Sequence, residues 1–363
     1  MRNNKDAQNN SGVWNRNKFF ISEKAQERLR DYLNSSHVYM PKHNINNYWL
    51  RRCEVLNYTF HNGWIEIRED SNLAARMYWK IIPGQYSNLR KAILARMAGA
   101  LSILPEWIGG MRHIVDQKIQ EGRWRDICHL ILTGKRKLYF PFGLWNGNPD
   151  LLRQEPFFGV IKSWPLRSAY MLRAMDVINH YKKLGDNLRV IEIGSGPAIL
   201  CGFMTHKFGT KHVLIDLPEQ IAVGFAFLSE FFPEKKILLP HEIDTHKFRG
   251  AETDIIFITP EQLNILKDSK FDVGVNIFSF QEMSYKTIDE YFALLRSCMN
   301  PDGVFYCMNR IDKWNKYDGT LCEFAKYPWR EKDEILSDAS FDGYVAGAKL
   351  CPRPYREKLI KFK

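Results

Sequence analysis

The chain has 363 residues, of which 45% are hydrophobic and 26% charged, with a formal net charge of +11 at pH 7. That length and apolar content favour one enlarged or two globular domains and exclude a wholly disordered chain. No apolar run approaches the roughly 18 residues that span a bilayer, and the N-terminus lacks the apolar core of a signal peptide. The seven cysteines include no C-x-x-C pair and predict reduced thiols in a cytoplasmic protein.

The basic residues are scattered, and their densest run is only residues 135–137. A positive charge favours nucleic acid, an anionic membrane surface or an acidic saccharide as partner. Because the sequence contains no nucleic-acid-binding motif, we expect no nucleic-acid partner. A solvated surface is the simplest interpretation, followed by a weak attraction to an anionic glycan or membrane surface. The sequence does not identify the oligomeric state.

Residues 1–150 predict a mostly helical N-terminal region, and residues 151–363 predict a second, α/β domain. Ser22 is placed to cap a helix that runs to Leu33. Residues 48–56, 73–82, 89–101 and 110–119 carry apolar side chains at helical spacing. The tryptophans of this region are expected to pack in its core: Trp49, Trp64, Trp79 and Trp107. Residues 139–149 predict a structured loop, and we expect residues 145–149 to help cover the acceptor pocket.

Strands and helices alternate from about residue 165 onward. After a helix at 166–183, strands are predicted at 190–193, 212–216, 236–240, 254–259, 271–277 and 304–308. Further helices are predicted at 199–208, 218–233, 261–266 and 287–299, the last begun by Thr287 in a capping box with Glu290. Candidates for the last strands are 344–349 and 358–362. The alternation predicts a doubly wound, mainly parallel sheet with helices on both faces, a Rossmann-like α/β fold.

The first of these strands ends in a glycine turn, Glu-Ile-Gly-Ser-Gly-Pro-Ala at 192–198. Glycines let the backbone turn sharply and approach a ligand, and the next helix presents free N–H groups to it. A dinucleotide fingerprint would need glycine or alanine where Ile199 stands. Twenty residues past Gly196, the second strand ends at Asp216, an acid placed to accept hydrogen bonds from ribose hydroxyls. Together these features predict a nucleotide-binding crossover.

The glycine turn resembles motif I of class I S-adenosylmethionine-dependent methyltransferases, E-x-G-x-G-x-G, with Ala198 in place of the last glycine. Ser-Phe-Gln-Glu-Met at 279–283, Asp-Leu-Pro-Glu at 216–219 and Asn-Arg at 309–310 resemble the sugar O-methyltransferase family. The likeness covers about residues 147–310. It implies S-adenosylmethionine as cofactor, a saccharide or glycosylated small molecule as acceptor, and a role in polysaccharide biosynthesis.

The expected cofactor-binding residues follow from this motif and from the polar ends of the predicted strands. They are Glu192, Gly194, Ser195, Gly196, Asp216, Leu217, Thr259 and Asn276. For Thr259, an ordinary strand cap is an equal alternative to a contact with adenine.

Three polar residues are candidates for the transfer itself. Glu282, just past the fourth predicted strand, is expected to be the general base that takes the proton of the acceptor hydroxyl. Gln281 and Arg310 would orient the acceptor by hydrogen bonds. The alternative for Glu282 is a capping box with Ser279, although the box predicted at Thr287 argues against it.

A metal site and a non-catalytic role are the competing interpretations. His241 and His246 are five residues apart rather than four, so they would not share a helix face. A divalent metal bound by Asp216, Asp272 or Glu282 is compatible with methyl transfer, but no spacing indicates it. The alternative functions are a methyltransferase-like domain that binds nucleotide without turnover, or a methyltransferase for a non-sugar small molecule.

Overall fold

The computed structural model describes residues 18–35, 56–69, 165–186, 188–243, 253–315, 320–344 and 352–363. The helices predicted at 73–82, 89–101 and 110–119 lie outside these residues, as do the loop at 139–149 and all but the last residue of 48–56. Trp49, Trp79, Trp107 and His246 also lie outside them.

The described N-terminal segments form one helix and a small antiparallel sheet. Helix α1 (Glu23–Ser35) begins where predicted, and the Ser22 hydroxyl accepts a hydrogen bond from the Ala25 amide at 3.2 Å. Strands β1 (Lys18–Phe20), β2 (Leu56–His61) and β3 (Trp64–Glu69) pair in the order β1-β3-β2. The prediction of a mostly helical region is therefore wrong for residues 56–69.

The strands β2 and β3 form a hairpin because the sequence between them is a strong turn signal. His61 pairs with Trp64, which leaves Asn62 and Gly63 as a two-residue loop. Gly63 has a φ of 75°, a conformation that asparagine and glycine adopt readily in such turns. Trp64 is 44% exposed and meets the exposed ring of Phe20 edge-on at 5.1 Å. Its predicted position in the core is therefore also wrong.

The remaining described chain alternates between strands and helices as predicted. Its elements are α2 (Pro165–Tyr181), β4 (Arg189–Ile193), α3 (Ile199–Phe208), β5 (Lys211–Ile215), α4 (Pro218–Phe231), β6 (Ile237–Leu238), β7 (Ile255–Ile258), β8 (Phe271–Ile277), α5 (Tyr285–Cys298), β9 (Met299–Arg310), β10 (Asp312–Asn315), β11 (Thr320–Glu323), β12 (Glu334–Tyr344) and β13 (Pro352–Lys361). Short 3-10 helices occupy Pro240–Glu242, Pro260–Leu266, Phe280–Glu282 and Phe324–Lys326. The helix predicted at 261–266 is thus a 3-10 helix.

Eight of these strands form one sheet, in the order β12-β13-β9-β8-β4-β5-β7-β6. All neighbours from β9 to β6 run parallel, and β13 runs antiparallel to both β9 and β12. The chain moves outward from β4 in both directions, so β4 lies at the point where the strand order reverses. This confirms the predicted Rossmann-like, mainly parallel sheet.

Both faces of the sheet are covered. Side chains alternate along each strand, so Val190 packs with α2, α3 and α4, whereas Ile191 and Ile193 pack with α5 on the other face. Because helices cover both faces, strands of this sheet are apolar almost throughout, as the runs at 190–193 and 255–258 show.

The end of the sheet differs from the prediction. A β10–β11 hairpin and the 3-10 helix Phe324–Lys326 connect β9 to β12, with no α-helix among the described residues between them. The strand predicted at 344–349 shares only Tyr344 with β12 and otherwise lies outside the described residues. The strand predicted at 358–362 corresponds to the last part of β13.

Helix α1 docks beside the carboxyl end of β5. Arg28 donates to the carboxylate of Glu242 from Nε at 2.5 Å and from Nη2 at 2.6 Å. The hydroxyl of Tyr32 donates to the carbonyl of Pro218, and that of Tyr58 to the carbonyl of Glu219. Since Pro218 is the first residue of α4, the N-terminal segments lie next to the turn that follows β5.

The cysteines of the described segments, Cys201, Cys298, Cys307 and Cys322, are buried and form no disulfide with one another. Within the same segments, no helix has the length and apolar character required to cross a bilayer. Nor do the described histidine, cysteine and acidic residues form a group of three or more that would hold a metal ion.

Candidate functional site

The glycine turn after β4 lies at the centre of the candidate site. Gly194 has a φ of 74°, and a Cβ added there would lie 2.2 Å from both Cβ and Oγ of Ser279. Only glycine therefore fits between the turn and the loop that follows β8. A Cβ added at Gly196, in contrast, would meet no atom within 4 Å. The turn thus leaves open space beside Gly196, where a ligand can approach the backbone.

Asp216 joins the carboxyl end of β5 to this turn. Its Oδ2 accepts a hydrogen bond from the Gly196 amide at 2.5 Å, and its Oδ1 accepts one from the Leu217 amide at 2.7 Å. Burial raises the pKa of Asp216 from 3.8 to about 6, although the two amides favour the ionised form and lower it. The end of β5 and the glycine turn after β4 are therefore in direct contact.

Two polar atoms beside the turn are buried and lack a hydrogen-bond partner within the described part of the chain. They are Oε2 of Glu192 and Oγ of Ser195. Burial, followed by the nearby charge of Asp216, holds the pKa of Glu192 well above its usual range. Buried polar atoms without partners are costly, so these two atoms are candidates to contact a bound polar ligand.

Helix α3 begins at the turn without a side-chain cap. Its N-cap residue is Ala198, with a φ of 58°, and no acid lies in the first turn of the helix. The first amides of an α-helix have no partner inside the helix, and its N-terminus carries partial positive charge. This end of α3 can therefore hold an acidic or polar group of a ligand.

A chain of buried amide side chains fixes the loops after β4, β8 and β9 relative to one another. Asn276 donates to the carbonyl of Ile193 at 3.0 Å and accepts from Asn309 at 2.8 Å. The Asn309 side chain in turn accepts a hydrogen bond from the backbone amide of Gln281. The Gln281 side chain accepts one from the backbone amide of Arg310 at 2.9 Å. These strand ends therefore form one rigid edge.

The remaining predicted cofactor residues have mainly structural contacts. Thr259 is fully buried and begins the 3-10 helix Pro260–Leu266, with its amide donating to Gln262 at 3.2 Å. Both amino hydrogens of Asn276 have partners, in Ile193 and in the Ser279 hydroxyl. Leu217 offers its amide to Asp216 and directly precedes α4. Thr259 fits the strand-cap alternative, and Asn276 supports the loops from behind.

The structure brings the three predicted catalytic residues together and adds a fourth. Glu282 forms an ion pair with Lys313, and Nε2 of Gln281 lies 3.5 Å from Oε1 of Glu282. Lys313 comes from β10, in the hairpin after β9. Burial lowers the pKa of Lys313, an effect that the charge of Glu282 opposes and the charge of Arg310 reinforces. Glu282, Lys313 and Arg310 thus form one charged cluster beside the amide network.

Both capping boxes predicted near Glu282 are wrong. The Ser279 hydroxyl donates to the carbonyl of Ile193 at 2.9 Å and does not cap the 3-10 helix Phe280–Glu282. Helix α5 begins at Tyr285, where the Ser284 hydroxyl accepts from the Thr287 amide at 3.2 Å. The Ser279 side chain instead ties the loop to the end of β4.

The proposed metal ligands do not assemble. Asp272 lies at the amino end of β8, where it accepts from the Arg189 amide at 3.0 Å. Asp216 and Glu282 lie at the carboxyl edge of the sheet, the opposite edge. Asp216 accepts hydrogen bonds from two backbone amides, and Glu282 pairs with Lys313.

Sequence reasoning missed Lys313, and it gave Asn309 no role. Asn309 had a visible signal, because it is a polar residue at the end of an apolar strand run. Lys313 had no such signal in the sequence, because its position depends on how the β10–β11 hairpin folds back over Phe280–Glu282.

No family model and no curated protein matches the chain. Solved structures that are similar over part of it include the [4+2]-cyclase SpnF, at 14% identity and a TM-score of 0.38, covering 52% of this chain and 80% of that one. A SAM-dependent methyltransferase from Aquifex aeolicus is 12% identical with a TM-score of 0.33, covering 59% and 97% of the two chains. Another from Thiobacillus denitrificans, in complex with S-adenosyl-L-homocysteine, is 15% identical with a TM-score of 0.27, covering 40% and 51%. The fold assignment rests on the strand order of the chain itself.

Proposed function

We propose that the chain is an S-adenosylmethionine-dependent O-methyltransferase that acts on a sugar hydroxyl of a glycan or glycosylated metabolite. The observation that carries the proposal is the bond from the Gly196 amide to the Asp216 carboxylate. It joins an acid-tipped strand to a glycine turn at the strand-order reversal, where open α/β sheets bind their ligands. The motif resemblance at 279–283 and 309–310 supports the sugar acceptor.

The residues around the turn fit this cofactor. S-Adenosylmethionine, when bound, supplies an electrophilic methyl group on a sulfonium centre. Asp216 is an acceptor for ribose hydroxyls, and the open space at Gly196 admits a ligand against the backbone. The buried oxygens of Glu192 and Ser195 are available to the amino-acid part of the cofactor. Leu217 and Thr259 end the strands on the adenosine side, and Asn276 holds the loop behind them.

Glu282 is the group that accepts the proton of the acceptor hydroxyl. A neutral hydroxyl is a weak nucleophile, so its proton must leave as the methyl group arrives. The 3-10 helix that carries Glu282 is bonded to the glycine turn through Ser279, which places the carboxylate on the same edge as the cofactor residues. Lys313 forms an ion pair with that carboxylate, and Gln281 lies beside it.

The N-terminal region and the loop at 145–149 form the acceptor-side cover in this proposal. Methyl transfer requires a site from which water is excluded, and a bare sheet edge does not provide one. Tyr32 and Tyr58 hold the described N-terminal segments at the same edge of the sheet, next to the turn after β5 on the cofactor side of the proposed site.

The test of the catalytic assignment is a pair of variants, Glu282→Gln and Lys313→Met. The alternative is that the ion pair is only structural, in which case both variants would lose similar stability and retain similar activity. If Glu282 is the base, Glu282→Gln should lower turnover by about 100-fold or more, whereas Lys313→Met should have a much smaller effect. Turnover is measured as the transfer of label from S-adenosylmethionine to fractionated host glycans.

Calorimetry with S-adenosylhomocysteine provides the control, because both variants should keep the affinity of the unmodified protein. Near-normal turnover of a folded Glu282→Gln protein would contradict the base assignment. Absence of S-adenosylhomocysteine binding by the unmodified protein would contradict the proposed function itself.

A further inference from the structure

The Nε atom of Arg310 is a buried donor at the end of β9, although the side chain as a whole is only partly buried. Arg310 is the last residue of β9, and its backbone amide is already held by Gln281 at 2.9 Å. Its Nε is buried, yet within the described part of the chain it has no hydrogen-bond partner. An arginine is always charged, and a buried donor without an acceptor is unfavourable. Nε therefore forms no hydrogen bond that anchors the strand end.

Three acids near this end of the sheet are paired with other cations. Glu282 pairs with Lys313, and Glu323 pairs with Lys326. Asp338 on β12 pairs with both Arg356 and Lys358. The cluster of Arg310, Lys313 and Glu282 consequently carries a net positive charge, and the charge of Arg310 disfavours the protonated form of Lys313. A ligand with negative charge would offset the net positive charge of the cluster and the repulsion between Arg310 and Lys313.

The position of Arg310 assigns this ligand to the acceptor and not to the cofactor. The residues proposed to contact the cofactor lie at the ends of β4, β5 and β7, and Asn276 on β8 supports their loops from behind. Arg310 ends β9, with β8 between β9 and β4. Glu282, the proposed base, belongs to the same charged cluster as Arg310. A group held by Arg310 is thus next to the hydroxyl that loses its proton.

We propose that Arg310 binds an anionic oxygen group, a carboxylate or a phosphate, on the acceptor sugar. This inference rests on the proposed function and narrows its substrate to acidic sugars. A guanidinium presents parallel N–H donors that match two oxygens of such a group, and these charged hydrogen bonds are stronger than those to neutral hydroxyls. The anionic group orients the sugar so that a neighbouring hydroxyl meets Glu282.

The test is calorimetry on full-length protein saturated with S-adenosylhomocysteine, which requires no turnover. The probes are methyl α-D-glucoside, methyl α-D-glucuronide and glucose 6-phosphate, which share a ring and differ in charge. We expect at least one acidic probe to bind about 10-fold or more tightly than the neutral one. Arg310→Gln should remove that preference and leave the affinity for S-adenosylhomocysteine unchanged, whereas Arg310→Lys should retain part of it.

Preference for the glucuronide alone identifies the group as a carboxylate, and preference for glucose 6-phosphate alone identifies it as a phosphate. Equal binding of all three probes, binding of none, or a preference that survives in Arg310→Gln overturns the proposal. The comparison of probes on the unmodified protein stands even if the variants fail to fold. Acid-selective binding without methyl transfer would contradict the proposed function and leave the anion site intact.

Discussion

Asp216 allows a test in which ligand affinity and folding stability respond differently to one substitution. Its carboxylate accepts amide hydrogen bonds from Gly196 at 2.5 Å and from Leu217 at 2.7 Å. Asp216→Ala removes the ionised acceptor for the ribose hydroxyls. We therefore expect the affinity for S-adenosylhomocysteine to fall by about 1–3 kcal/mol, or roughly 5- to 150-fold in Kd.

The effect on the free energy of unfolding is a difference between opposing contributions. Burial raises the pKa of Asp216 from 3.8 to about 6, so ionising this carboxyl costs the folded protein about 3 kcal/mol at neutral pH. Asp216→Ala removes that cost but leaves two amides without an acceptor, at about 1–3 kcal/mol each. These contributions oppose each other, so thermal unfolding should change by less than the loss of two amide hydrogen bonds alone would cause.

The raised pKa also sets opposite pH dependences for stability and for binding. Because the folded pKa exceeds the unfolded one, Asp216 stabilises the fold fully below about pH 4 and loses that contribution as the pH rises through about 6. The ribose hydroxyls pair with the ionised form, so affinity should weaken as the pH falls below about 6. Asp216→Asn cannot ionise and should bind weakly, with no such dependence.

Calorimetry and thermal unfolding on the same samples, at about pH 5 and about pH 7.5, measure both quantities. Asp302→Ala is a suitable control, since it removes an exposed carboxylate, paired with Lys182, near the amino end of β9. Unchanged affinity in folded Asp216→Ala, or the same pH profile in Asp216→Asn as in the unmodified protein, would refute the assignment.

The remaining predictions concern the turn and the cover. Gly194→Ala should abolish S-adenosylhomocysteine binding and lower the unfolding temperature, because its Cβ would lie 2.2 Å from Ser279. Gly196→Ala has open space at its Cβ but a φ of 53°, so it should cost only the backbone strain of about 1–2 kcal/mol, keep the fold and weaken binding. If the two variants unfolded at similar temperatures, the contact with Ser279 would not be what destabilises Gly194→Ala. Replacing residues 145–149 by a glycine–serine linker should abolish transfer and retain S-adenosylhomocysteine binding. Full transfer by that protein would remove the loop from the acceptor site.

The sequence predicted the sheet because its determinants are local. An apolar run, a glycine turn and an acid at the end of the next strand are contiguous patterns. Parallel strands then bring their carboxyl ends to one edge without further information. The contact between Gly196 and Asp216 follows from two such strands being neighbours.

The acceptor side was less predictable because its contacts join elements distant in sequence. The Ser279 hydroxyl is not available to cap a helix, because it donates to a carbonyl at the end of β4. The Ser284 hydroxyl caps α5 instead. Lys313 reaches Glu282 only because β10 folds back as a hairpin. The β2–β3 hairpin is different, since Asn62 and Gly63 gave a local turn signal that the helical interpretation of the region overrode.

Ala198 occupies the last glycine position of the motif. Opposing contributions to the free energy of unfolding nearly balance at this position. Its left-handed backbone, with a φ of 58°, costs a non-glycine residue about 1–2 kcal/mol. Its buried methyl packs toward Gly224 of α4 and contributes about 0.8 kcal/mol, while glycine would add about 0.4–1 kcal/mol of unfolded-state entropy. Ala198→Gly should therefore change the free energy of unfolding by less than about 1 kcal/mol and keep S-adenosylhomocysteine binding.

Ala198→Val is the contrasting variant, because a β-branched residue is strongly disfavoured at positive φ and its extra methyls would face α4. We expect it to lose about 2 kcal/mol or more in chemical denaturation and to lose ligand affinity as the turn shifts. A valine variant as stable as the unmodified protein would mean that the turn relaxes out of the left-handed conformation. A large loss in Ala198→Gly would mean that the methyl contact with α4, and not backbone conformation, determines the residue at this position.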